Sequence, residues 1–147
     1  MRPTFTHNGC QVRAAGILVE SDGYRLLRRV RGRYEDVGGK TDSADTCALD
    51  TAVREAVEET DGKLMEPKHT REQCAKKLRE LLKDCETHYN RRSKYLCYLL
   101  KLPRRVKHLS MTRFGRCEFT EWGTLPHYYQ WKRRLPRNIH PRLWKLR

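Results

Sequence analysis

The sequence predicts an α+β fold in a single domain, and three observations carry that expectation. Two β-rich segments, Gln11 to Glu20 and Tyr24 to Val30, flank the turn residues Ser21, Asp22 and Gly23. From about Asp45 to Thr60 the pattern becomes helical, with Leu49, Ala52, Val53 and Ala56 at the i, i+3, i+4, i+7 spacing of one buried face. A third run, Tyr95 to Leu102, is apolar, rich in aromatics and short enough for a central strand.

The remaining elements follow in chain order. Arg31 to Asp36 is polar, and Val37 leads into Gly38, Gly39 and Lys40, a backbone that can approach a ligand closely. Gly62 is a stop signal for the first helix. Lys63 to Glu66 begins another strand that Pro67 interrupts. Thr70 to about Glu86 reads as a second amphipathic helix, with Cys74, Leu78, Leu81, Leu82 and Cys85 on one side and Arg71, Lys76, Lys77, Arg79 and Lys83 on the other. Pro103 to Phe114 is a basic loop and Cys117 to Trp122 a short strand. The rest, from about residue 123 to 147, is a basic, aromatic tail with a short helix around Pro141 to Leu146.

Composition narrows the function classes. The 147 residues include 32 Lys+Arg and 18 Asp+Glu, a formal charge of +14, and only 37% are hydrophobic. No apolar run approaches the roughly 20 residues of a membrane helix, and the first residues lack the apolar stretch of a signal peptide. Neither a membrane nor a secreted protein is expected. The charge is uneven: residues 1 to 65 hold 10 basic and 11 acidic residues, whereas residues 66 to 147 hold 22 and 7. Such an excess favours polyanionic partners, with a solvated surface as the plainer reading. The six cysteines form no Cys-x-x-Cys pair and no zinc spacing. They read as free, mostly buried thiols of a reducing compartment, cytoplasm or nucleus.

The segment Arg54-Glu55-Ala56-Val57-Glu58-Glu59 carries the chemistry. On a helix, Glu55, Glu58 and Glu59 stand at i, i+3 and i+4, within an arc of about 100°. Three adjacent carboxylates repel one another, and a divalent cation with a preference for oxygen, Mg²⁺ or Mn²⁺, resolves the repulsion. Arg54 can orient or partly neutralise them. The loop Gly38-Gly39-Lys40, after a hairpin, opens onto the same helix.

This arrangement, Gly39 and Lys40, then Asp45, then Arg54 to Thr60, resembles the box of the Nudix hydrolases, G-x5-E-x7-R-E-U-x-E-E-x-G-U, over Gly39 to Gly62. The resemblance implies an α/β/α sandwich with a mixed sheet, into which the basic helix of about residues 70–86 would be inserted. It also implies hydrolysis of a nucleoside diphosphate linked to another group. Three departures stand out. Asp45 replaces the upstream glutamate, eight residues instead of seven separate it from Arg54 (so that Thr46 holds the helical register), and Asp61 replaces the glycine, with Gly62 one place later.

Carried over by position, Glu58 and Glu59 would be metal ligands and Glu55 a ligand or the base that activates water. The Gly38 carbonyl would add an oxygen, Lys40 would contact phosphate, and Arg54 would hold the carboxylates. A later acidic ligand would come from Glu118, in preference to Glu121. For the substrate, the cationic face of Lys76, Lys77, Arg79 and Lys83 and the tail residues Lys132, Arg133 and Arg134, interleaved with Tyr128, Tyr129 and Trp131, point to capped or triphosphorylated RNA. The alternatives are a small nucleotide ((d)NTP, ADP-ribose or a dinucleoside polyphosphate) and a catalytically weak RNA-binding protein of the same fold. A homodimer is compatible with the resemblance.

Overall fold

The computed structural model describes residues 1–104, 106, 109, 127–132 and 134–146. It is a mixed α+β fold built on a large mixed sheet, as the sequence predicts. The elements are β1 (Phe5–His7), β2 (Cys10–Val12), β3 (Ala14–Ser21), β4 (Tyr24–Val30), β5 (Arg33–Glu35), β6 (Val37–Lys40), α1 (Ala48–Thr60), α2 (Arg71–Leu82), β7 (Thr87–Asn90), β8 (Tyr95–Lys101), β9 (His127–Lys132) and a 3₁₀ helix (Pro141–Leu146). The expected strand at residues 117–122, with Glu118 and Glu121, lies outside the described residues, as does Arg133.

Strand β3 organises the sheet. One edge pairs in parallel with β8 over Ala14 to Glu20. The other edge is shared: Ala14 to Ile17 pair with β6, and Val19 to Ser21 pair with β4, both antiparallel. Strand β4 then pairs with β5 beyond the point where it leaves β3, and with β9 along its far side. The sheet therefore parts between β4–β5 and β3–β6, and this parting positions the site described below.

Both faces of the central strands are covered. Ala15, Ile17 and Val19 of β3 and Leu96, Tyr98 and Leu100 of β8 join Ala52, Val53 and Ala56 of α1 and Cys74, Leu78 and Leu82 of α2 in one core. The alternate residues Leu18, Tyr95, Cys97 and Leu99 pack with Leu135, Ile139, Leu143 and Leu146 on the opposite face. Period-two alternation with apolar residues on both faces marks strands sandwiched between layers. Among the described residues no helix is long and apolar enough to cross a membrane.

Several expectations are corrected. Lys63 to Glu66 forms no strand, and Leu64 is instead a core residue of the connection. The segment expected as one strand from Gln11 breaks at Arg13 into β2 and β3. Helix α2 ends at Leu82, and Leu81 is exposed because only Cys74, Leu78 and Leu82 fall on its narrow buried stripe. Its start is fixed by a capping box between Thr70 and Gln73. Helix α1 ends at Asp61, which adopts φ 51° in the left-handed region, and Gly62 follows with φ 74°. An aspartate thus fills the left-handed position that closes the helix, where glycine is the usual residue. Cys10 and Cys47 are exposed, so burial of the thiols holds for Cys74 and Cys97 and in part for Cys85.

Gly16 and Gly38 face each other across the β3–β6 pair. A Cβ on either would collide with the hydroxyl of Tyr95. Gly16→Ala is accordingly expected to lower unfolding free energy by about 1–3 kcal/mol or more, read from a urea denaturation midpoint. An unchanged midpoint would mean that the Tyr95 ring, the Val37 carbonyl and the Asp36 carboxylate can all move aside.

Candidate active site

The parting of the sheet, the N-terminal segment and α1 enclose a cavity of about 700 Å³. Glu55 and Glu59 come from α1, Gly38, Gly39 and Lys40 from β6, and Arg28 and Glu35 from the β4–β5 hairpin. These residues meet because α1 lies along β3 and β6, which presents one helix face to the β6 backbone. Glu55 stands directly beneath Gly39, where a Cβ would lie 2.5 Å from its carboxyl carbon. The glycine is needed for this close approach.

The three carboxylates do not share one environment. Glu59 is 1% exposed, and its Oε2 accepts from the Gly38 N–H at 3.0 Å while Oε1 accepts from Arg28 Nη2 at 2.8 Å. Glu55 is also buried, with Oε1 accepting from Arg54 Nη1 at 3.1 Å. Glu58 is a third exposed, is contacted by Arg54 at 3.4 Å, and does not line the cavity. Among the described residues no three His, Cys, Asp or Glu side chains converge closely enough to hold a metal ion unaided. The single acidic face expected from the spacing is thus divided: its arc of about 100° turns Glu59 toward Arg28 and the Gly38 N–H and leaves Glu58 beside Arg54, outside the cavity lining.

Arg28 was not legible as a site residue from its motif, yet one signal was present. Leu26, Arg28 and Val30 alternate on one face of β4, so an arginine occupies an inward position between apolar neighbours. It is 3% exposed, and Nη2 bridges Glu35 Oε1 at 2.7 Å and Glu59 Oε1 at 2.8 Å. Burial alone would lower the guanidinium pKa, but Glu59 and Glu35 outweigh it and keep Arg28 charged. Burial pushes Glu59 in the opposite sense, well above the ordinary carboxylate range, with Arg28 resisting. Burial likewise raises Glu55, against the pull of Arg54.

Arg54 ties the preceding loop to the site. Its Nε and Nη2 donate to Asp45 at 2.9 and 3.0 Å, and Nη2 also reaches the Lys40 carbonyl at 2.9 Å. Asp45 accepts in addition from Thr51 Oγ1 and the Asp42 N–H. These hydrogen bonds, though burial opposes them, hold its carboxyl below the usual range. Thr46, which keeps the helical register, instead bonds Asp50 at the start of α1. The extra residue thus coincides with a shorter acid that reaches Arg54 from the loop.

The remaining sequence candidates lie apart from the cavity. Lys76, Lys77 and Arg79 are exposed on α2 and Lys83 at its C-cap, with Arg79 paired to Asp50 at 2.6 Å. Lys132 and Arg134 are exposed on and after β9, outside the cavity lining. The segment expected as a tail is in part a strand, and its aromatics divide by face. Tyr128 is buried in the helix-side core, whereas Trp131 and Tyr34 pack against the opposite core beside the more exposed Tyr129.

Carboxylate oxygens are the donors a small, hard divalent cation takes, but both Glu59 oxygens already accept hydrogen bonds and Glu58 stands outside the cavity lining. The candidate ligands are carboxylate oxygens, and Glu55 Oε2 is buried with no hydrogen-bond partner among the described residues. Leaving such an acceptor unsatisfied costs about 1–3 kcal/mol, which a cation or a ligand donor would recover.

No family model matches the chain. No curated protein matches it in sequence. Among solved structures it is similar to a bifunctional NMN adenylyltransferase/ADP ribose pyrophosphatase from Francisella tularensis, complexed with AMP and a Mn ion. That likeness has a TM-score of 0.43 and 14% identity, and covers 99% of this chain and 37% of that one. The chain thus spans little more than a third of that protein's length.

Proposed function

We propose that the chain is a metal-dependent hydrolase of a phosphoanhydride, acting on a nucleoside diphosphate joined to another group. One observation carries this reading: a buried carboxylate with an unpartnered oxygen, Glu55, shares a cavity wall with Glu59, the Gly38-Gly39-Lys40 backbone and several cations. Arginine and lysine draw a phosphate chain in, and the acids provide oxygens for a cation and a base for water.

Glu55 and Glu59, with Glu58 from the rim and the Gly38 carbonyl, would hold Mg²⁺ or Mn²⁺. When bound, such a cation supplies polarisation of a phosphoryl oxygen and a more acidic water. Arg54 fixes the Glu55 carboxylate against the Lys40 carbonyl, so the acid and the phosphate-binding strand keep one geometry. The raised pKa of Glu55 makes it a stronger proton acceptor at its carboxylate. Lys40, exposed at the cavity edge, would contact a phosphate oxygen.

For the group joined to the diphosphate we favour an RNA 5′ end, capped or triphosphorylated. Its support is the set of exposed cations Lys76, Lys77 and Arg79 on α2 and Lys83 at its C-cap. The test is a panel of capped and triphosphorylated RNA, (d)NTPs, ADP-ribose and dinucleoside polyphosphates, each with Mg²⁺, with Mn²⁺ and after chelation. Turnover that chelation abolishes and either metal restores is the expected result. No turnover of any member with RNA still bound would replace the hydrolase reading by an RNA-binding one. Neutralising those four cations should weaken RNA binding and flatten its salt dependence. A small nucleotide turned over well, with RNA ignored, would move the substrate to the alternative class.

A further inference from the structure

We infer that Arg31 is a specificity-determining residue of this cavity, selecting a ligand with a chain of three or more phosphates over one with a single diphosphate. The inference rests on the cavity being the ligand site and extends the proposed function to its substrate class.

The argument begins with backbone geometry. The described residues contain three two-residue hairpins: Asn8-Gly9 joins β1 to β2, Asp22-Gly23 joins β3 to β4, and Arg31-Gly32 joins β4 to β5. Their φ values coincide, at 48° and 79°, 51° and 76°, and 50° and 78°. Positive φ at both central positions is the requirement of a type I′ turn, which asparagine, aspartate or glycine meets best at the first position. Two of the turns follow that preference. The third places an arginine there, and it is the turn that lines the cavity. Lys94 also has positive φ, but in the longer β7–β8 connection away from the cavity, so positive φ alone does not mark a site. The mark is the coincidence of turn position, positive charge and cavity wall.

The surroundings indicate what the charge is for. Arg33, two residues on, and Arg2, from the N-terminal segment, line the same cavity and are exposed. Arg28, which holds Glu59, lies three residues before Arg31, about 10 Å along the strand. A ligand that meets the carboxylates and Lys40 at one end and the hairpin tip at the other must carry negative charge over that length. A linear polyphosphate does so.

Calorimetric titration of inorganic tripolyphosphate and of pyrophosphate into the full chain, without added metal, tests this. Tripolyphosphate should bind the wild type about 10-fold more tightly. Arg31→Asn should lose about 10-fold for tripolyphosphate and under about 2-fold for pyrophosphate, while its thermal midpoint holds or rises because asparagine suits the turn. Arg31→Lys should keep part of the selectivity. Equal affinity of the two probes for the wild type, or unchanged tripolyphosphate binding in Arg31→Asn, would overturn the inference. Selective binding without hydrolysis of any panel member keeps it and removes the hydrolase reading. Turnover with equal probe affinities does the reverse.

Discussion

Glu55→Gln should lower kcat by about 100-fold or more on the best substrate of the panel, the range lost with a positioned general base. The replacement is isosteric and its amide oxygen can still accept from Arg54, so the thermal midpoint should move little. The variant removes the charge on the one buried carboxylate whose Oε2 has no hydrogen-bond partner among the described residues. Its metal affinity distinguishes the two roles open to Glu55. A base alone leaves Mn²⁺ binding intact, whereas a ligand weakens it together with kcat. Activity within about threefold of wild type would remove Glu55 from the chemistry.

The second large effect is on stability. Asp36 is fully buried at the junction of β5 and β6, and Arg142 from the 3₁₀ helix donates Nε and Nη2 to its Oδ1 at 2.9 and 2.7 Å. Arg142 also reaches the Asp36 carbonyl, and Tyr95 donates its hydroxyl to Asp36 Oδ2 at 2.6 Å. The guanidinium stacks 4.6 Å from the Tyr95 ring centroid. Arg142→Met strands a buried carboxylate, and it should cost about 3–5 kcal/mol, with a thermal midpoint roughly 10 °C lower. Adding Asp36→Asn should recover part of that loss. A double variant as unstable as the sum of the singles would show that the two groups are not coupled.

What was legible in the sequence follows from which forces dominate locally. Helix α1 and strands β4 and β8 have strong apolar periodicity, and their burial follows it. Strand β6 was invisible as a strand because Gly38 and Gly39 have low β propensity. They are strand residues for a tertiary reason, the Tyr95 hydroxyl and the Glu55 carboxylate that occupy their side-chain space. Strand β7, with its polar Thr87, His88 and Asn90, lacks an apolar signature because it lies at the sheet edge. At the site, the spacing of Glu55, Glu58 and Glu59 located the acids but not their division, which depends on Arg28 from a strand remote in sequence. Asp45 was ambiguous by count alone, since only the loop path decides that it, and not Thr46, meets Arg54.

The Asp36–Arg142 pair also orders events in time. The two residues lie 106 positions apart. At synthesis rates of about 5–20 residues per second, Asp36 waits roughly 5–20 s for its partner. Until then a carboxylate destined for the interior stays hydrated, and the β5–β6 corner beside the candidate active site cannot close over it. The residues of the hairpins and of α1 are therefore synthesised well before the contact that locks them. A chaperone or protease would meet this incomplete form, in which the acids of the candidate site are already made but not yet enclosed.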